Sequence, residues 1–143
     1  MNDNLNFMKT LNETFQYVQL PLKLQDQNAH GDLYVMTRKE ALKKDPKDLK
    51  VLLHLDMDHL GTLDIQIARE NTAVSLKFFV STEETLHLLD RNIELLRDAI
   101  NQQGYACSSE LSMKEKDVDI VNDFIAQETP VGDMKRYNFD LRA

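Results

Sequence analysis

The chain has 143 residues, of which 42% are hydrophobic and 29% charged, and carries only four Gly and three Pro. This is the size and composition of one globular domain, and it excludes two large domains and a low-complexity or disordered chain. A net charge of −7 disfavours nucleic acid and anionic lipid as partners, and a single cysteine, Cys107, excludes a disulfide scaffold and a cysteine-rich zinc site.

In chain order, Met1 to Asn4 lacks the basic flank and apolar centre of a signal peptide, and no apolar run approaches the ~20 residues that a bilayer requires. Leu5, Met8 and Leu11 have helical spacing without a cap, so residues 1–14 are expected to be a flexible or short helical segment preceding a single domain over 15–143. Val18, Leu20, Leu22 and Leu24 alternate as a strand, with Pro21 confining it to an edge. The polar stretch Gln25 to Gly31 reads as a hairpin bend into a strand over Asp32 to Thr37. Lys39 to Asp48 is a charged connection with at most a short helix around Glu40 to Lys44.

Val51, Leu53, Leu55 and Met57 point one way and Lys50, His54 and Asp56 the other, with Leu52 the apolar exception on the outer face. Leu63, Ile65 and Ile67, then Val74, Leu76, Phe78 and Val80, continue the alternation around a turn at Glu70-Asn71. The result is a three-stranded meander. Ser81 and Glu84 have capping-box spacing, which predicts a helix starting there. Leu86, Leu89, Ile93, Leu96 and Ile100 form its apolar stripe, and Gly104 stands where a left-handed C-terminal cap is needed. Tyr105, Cys107, Ser109, Leu111 and Met113 alternate as a further strand. Val118, Val121, Phe124 and Ile125 predict a shorter helix ending before Pro130, and Tyr137, Phe139 and Leu141 a last brief strand. The predicted class is α+β: a mainly antiparallel sheet with one long amphipathic helix packed on it and a second, shorter C-terminal helix.

Three groups invite a chemical reading. His54, Asp56, Asp58 and His59 are metal-compatible side chains within six residues, so a metal-dependent enzyme is one reading. Consecutive outward residues on one strand rarely converge on an ion, and a water-facing strand has the same pattern. His30-Gly31-Asp32 pairs a proton-exchanging group with a carboxylate, but glycine at a polar bend explains it through backbone sterics alone. Cys107 alternates with apolar neighbours as a small buried hydrophobe. The four glycines are scattered singly, so no phosphate loop is present. No catalytic, cofactor or metal site is assigned, and a generic acidic interaction adaptor is the default reading.

The ordered combination from Val51 to Met113 adds a family. A hydrophobic strand, the turn Asp56-Met57-Asp58-His59-Leu60-Gly61, two alternating strands, a capped helix and the pair Gly104-Tyr105 resemble the C-terminal domain of flagellar hook-length control proteins. Leu60 and Gly61 match the Leu-Gly pair of that family's Pro-x-x-Leu-Gly turn, Leu63 and Ile65 match the apolar positions after it, and Met57 replaces the proline. The flanking segments, including 114–143, look like elaborations of clostridial-type members. The resemblance implies a non-enzymatic switch of type III export specificity that binds the cytoplasmic part of the export-gate membrane protein, with hook proteins as further partners. It also implies a cytoplasmic place at the export apparatus, with export of the protein itself. The family's long N-terminal ruler is not visible in this chain, which is therefore expected to be an excised domain or a shortened relative. The expected contact surface is Asp58, His59, Leu60 and Gly61 with Leu63 and Ile65, although strand alternation reads the last two first as ordinary core residues.

Overall fold

A computed structural model describes residues 6–14, 28–38, 49–115, 118–128 and 132–141. The expected strand over Val18 to Leu24, residues 25–27 of the bend before Gly31 and the connection Lys39 to Asp48 lie outside these residues. A helix, α1, covers residues 6–14. It is followed by strands β1 (Ala29–Arg38), β2 (Leu49–Met57), β3 (Gly61–Glu70) and β4 (Ala73–Val80), helix α2 (Glu83–Gln102), strand β5 (Ala106–Met113), helix α3 (Ile120–Glu128) and strand β6 (Gly132–Leu141).

The six strands form one sheet in the order β5-β4-β3-β2-β1-β6. The meander β2-β3-β4 is antiparallel throughout, as are β1 with β2 and β1 with β6. β5 instead lies parallel to β4. The sheet is thus mixed, which corrects the expectation of a mainly antiparallel one. The cause is α2: a helix of 20 residues carries the chain back along the sheet, so the next strand enters in the direction of the one before it. Alternation within a strand reports which face is buried and carries no information on strand direction.

One face of the sheet holds the main core. Val51, Leu53, Leu55, Leu63, Ile65, Ile67, Leu76, Phe78 and Val80 pack there against Leu89, Leu96 and Ile100 of α2 and against Phe7 and Leu11 of α1. Leu86 and Ile93 are only partly buried, at the margin of the helix's contact stripe. The Arg69 guanidinium lies 5.0 Å from the ring centroids of both Phe7 and Tyr105, and its Nε donates to the Asn71 carbonyl at 2.9 Å. Asn71 takes the left-handed conformation (φ 57°) that this tight hairpin requires, a region asparagine tolerates better than most residues.

The opposite face is covered at one end. Leu52, Tyr34 and Met36 form a second core with Ile120 and Phe124 of α3. Leu52, the apparent exception to the alternation of β2, is fully buried there. The C-terminal segment is part of the domain: α3 lies on this face and β6 extends the sheet beside β1 over ten paired positions. His30-Gly31-Asp32 corrects a second expectation. It lies inside β1, where Gly31 pairs with Leu55 on one side and Phe139 on the other, so strand pairing on both sides overrides the local turn signal.

Candidate functional site

The turn between β2 and β3 is built by both strands and by the start of α2. Met57 pairs with Gly61 across the ladder, leaving Asp58, His59 and Leu60 to reverse the chain. Met57 is 5% exposed in the main core, so here an apolar side chain anchors the end of β2. Leu60 is buried too, and its carbonyl oxygen lies 2.9 Å from the Thr85 hydroxyl and 3.1 Å from the Thr82 hydroxyl, both of which donate to it. Gly61 has φ +77°, and a Cβ there would collide with Ser81 Oγ. That oxygen accepts the Thr62 backbone N–H at 2.8 Å, while the Ser81 N–H donates to the Thr62 carbonyl at 3.2 Å. The Leu-Gly pair therefore joins two elements. Leucine fills the core and supplies a carbonyl to the helix start; glycine supplies the left-handed backbone and the space for Ser81.

These contacts also correct the expected helix start. The N-cap is Thr82, whose hydroxyl accepts the Thr85 N–H at 3.3 Å, and the helix begins at Glu83. Ser81 is displaced from the capping role because its oxygen serves Thr62. Capping-box spacing alone does not distinguish two adjacent hydroxyl residues.

Of the residues expected to meet a partner, Asp58 and His59 are exposed, Leu60, Leu63 and Ile65 lie in the core, and Gly61 is half-buried. The presented surface of the turn is thus the pair Asp58-His59, and the other four hold it in place.

Beside the turn, on the α3 face, lies a polar cluster. Asp64 is completely buried; His54 Nδ1 is 2.5 Å from its Oδ1, and Lys114 Nζ is 2.5 Å from its Oδ2. Lys114 Nζ also donates to Thr62 Oγ1 at 3.1 Å. One carboxylate thus ties β2, β3 and the segment after β5 together. The bond to Asp64 holds the His54 imidazole above its ordinary pKa, against the opposing effects of burial and of the Lys114 charge. Further along, Arg136 Nη2 donates to Asp32 Oδ1 at 3.1 Å, and His30 Nδ1 lies 2.9 Å from Asp140 Oδ1, a contact that raises the pKa of His30.

His54 therefore turns to Asp64, its cross-strand neighbour, and does not gather with Asp56, Asp58 and His59. Among the described residues, no group of three or more His, Cys, Asp or Glu side chains is arranged to hold a metal ion. Burial pushes the Cys107 thiol up to about 11, away from the thiolate range in which cysteine reacts. The pairs of Asp64 with Lys114 and of Asp32 with Arg136 were not legible in the sequence, because their members meet only in the folded sheet, and Asp64 reads locally as one more outward polar residue.

Comparison with known proteins gives the family. Residues 37–118 match the family model described as flagellar hook-length control protein FliK. This span contains the turn, the meander, α2 and β5. No curated protein matches significantly. A solved structure described as the crystal structure of the PscP SS domain is similar over 46% of this chain and 70% of that one, at 13% identity and a TM-score of 0.38. Since the family model covers more than half of its residues, the chain belongs to the flagellar hook-length control protein family.

Proposed function

We infer that this chain controls hook length by switching the substrate specificity of flagellar type III export, and that it does so by docking on the cytoplasmic part of the export-gate membrane protein. The match of residues 37–118 to the hook-length control family carries this reading. The family's role is regulatory and non-catalytic, which suits a turn that presents side chains on a rigid base. No helix among the described residues is long and apolar enough to cross a membrane.

The contact surface in this proposal is the turn Asp58 to Gly61. Asp58 and His59 meet the gate, while Leu60, Gly61, Leu63 and Ile65 fix their position through the core and the start of α2. Preorganisation of this kind lowers the entropic cost of association. The test is binding of the purified chain to the cytoplasmic fragment of the export gate, by calorimetry, for the parent and for the Asp58→Ala/His59→Ala variant. Both substituted side chains are exposed, so thermal stability should be unchanged while affinity falls at least about tenfold. Unchanged affinity removes the turn from the interface, and absence of binding by the parent refutes gate docking itself.

A further inference from the structure

Among the buried residues of α2 one breaks the pattern: Leu89, Leu96 and Ile100 are apolar, whereas Thr85 is a threonine with no exposed surface. Valine has nearly the same shape and would fill the space without burying a hydroxyl. Nor does the helix need that hydroxyl, since Thr82 is the N-cap and accepts the Thr85 N–H. What the Thr85 hydroxyl meets is the carbonyl oxygen of Leu60, 25 positions earlier in the chain, at 2.9 Å. The Thr82 hydroxyl reaches the same oxygen at 3.1 Å and lies 2.9 Å from the Thr85 hydroxyl, so three oxygens form a closed triangle. One bond would satisfy a buried carbonyl. Two, arriving from different residues of one helical turn, use both of its lone pairs and fix the plane of the Leu60–Gly61 peptide.

That peptide closes the turn that carries Asp58 and His59. The other side of the turn is held by the Asp58 N–H, which donates to the Asn28 carbonyl at 3.0 Å. From this geometry we propose that Thr85 is a positioning residue for docking: its hydroxyl, acting through the Leu60 carbonyl, sets the direction in which the Asp58 and His59 side chains leave the turn toward the export gate. The role rests on the turn being the surface that meets the gate, as proposed above. Thr85 is fully buried and cannot itself reach a partner, so its contribution is one of order. A turn already held in its bound orientation loses less freedom on association than one whose closing peptide can rotate. Asp58 and His59 supply the contacts and Thr85 the orientation, so removing the Thr85 hydroxyl is felt in the entropy of binding and not in its enthalpy.

The test is calorimetric binding of the purified chain to the cytoplasmic fragment of the export gate. Thr85→Val and Thr85→Ala both remove the hydroxyl, the first keeping the shape and the second leaving room, so one folded variant of the two suffices. Thr85→Ser keeps the hydroxyl. Ile120→Val, in the second core on the opposite face, imposes a modest loss of stability without touching the turn. Affinity should fall about five- to tenfold in Thr85→Val and Thr85→Ala, with the enthalpy unchanged, and stay within about twofold of the parent in Thr85→Ser and Ile120→Val. In the free chain, amide exchange over Asp58 to Gly61 should quicken about tenfold in the two variants without the hydroxyl and in neither of the others. Absence of binding by the parent refutes gate docking and this role with it. Affinity in Thr85→Val and Thr85→Ala equal to that of a parent that does bind overturns the role and leaves gate docking standing. An equal loss in Thr85→Ser or Ile120→Val, or a loss carried by enthalpy, makes Thr85 a packing residue and overturns the proposal too.

Discussion

Replacing Gly61 by alanine probes the join between the turn and α2 directly. Two costs are separable. At φ +77° an L residue gives up about 1–2 kcal/mol relative to glycine. The new Cβ also collides with Ser81 Oγ, and moving that oxygen breaks its bond to the Thr62 N–H, worth about 1 kcal/mol. The expected loss is about 2–3 kcal/mol, or roughly 6–12 °C in melting temperature for a domain of this size. Gly104→Ala is the internal reference: its φ is +98° but nothing lies within 4 Å of the added Cβ, so only the backbone cost of about 1–2 kcal/mol applies. Urea titrations of the parent, Gly61→Ala, Gly104→Ala, Ser81→Ala and Gly61→Ala/Ser81→Ala give the comparison. In the double variant the Ser81 substitution should add almost nothing, because its bond is already lost, which is a coupling of about 1 kcal/mol. Equal destabilisation by Gly61→Ala and Gly104→Ala, or additive effects of the two substitutions in the double variant, would refute the idea that Ser81 and Gly61 share one tightly fitted contact.

Four further outcomes are expected. Leu96→Ala should cost about 2–5 kcal/mol in denaturant unfolding, because Leu96 is fully buried under α2, whereas Leu95→Ala, 62% exposed, should stay within about 0.5 kcal/mol. Phe124→Ala should cost about 3 kcal/mol or more and loosen α3, seen as faster amide exchange around Tyr34 and Leu52; an unchanged midpoint would mean that α3 does not depend on the second core. His54 is held above its ordinary pKa in the folded state, so its contribution to stability is complete below about pH 6.5 and is lost as pH rises through the folded value. Unfolding free energies at rising pH should show that decline in the parent and a smaller one in His54→Gln, and Asp64→Asn should lower the imidazole midpoint followed by NMR. Asp64→Ala leaves His54 and Lys114 beside an uncompensated site and should destabilise by about 3–5 kcal/mol; a loss near zero would show that the buried carboxylate contributes nothing net.

Much of the fold was legible because hydrophobic period is a local property. The main-core face of β2, β3 and β4 follows from residues at every second position, and the buried side of α2 from Leu89, Leu96 and Ile100. The turn chemistry of Leu60-Gly61 was visible as a pattern, but its cause was not. Which hydroxyl caps the helix depends on Ser81 being engaged by Thr62, a residue 19 positions away.

Local composition thus settled the element types, the buried faces and the absence of clustered phosphate-loop glycines, since each depends on neighbours a few residues apart. Tertiary structure decided the rest. The parallel placement of β5 is set by the path of α2 across the sheet. The burial of Leu52 requires α3 from nearly 70 residues away to cover a face that looked like a solvated one. The pairing of Asp64 with His54 and Lys114, and of Asp32 with Arg136, arises from the assembled sheet, which brings charges together only after the chain has condensed around its apolar positions. In each case the energy that selects the arrangement comes from residues distant in sequence, and no window of neighbouring residues contains it.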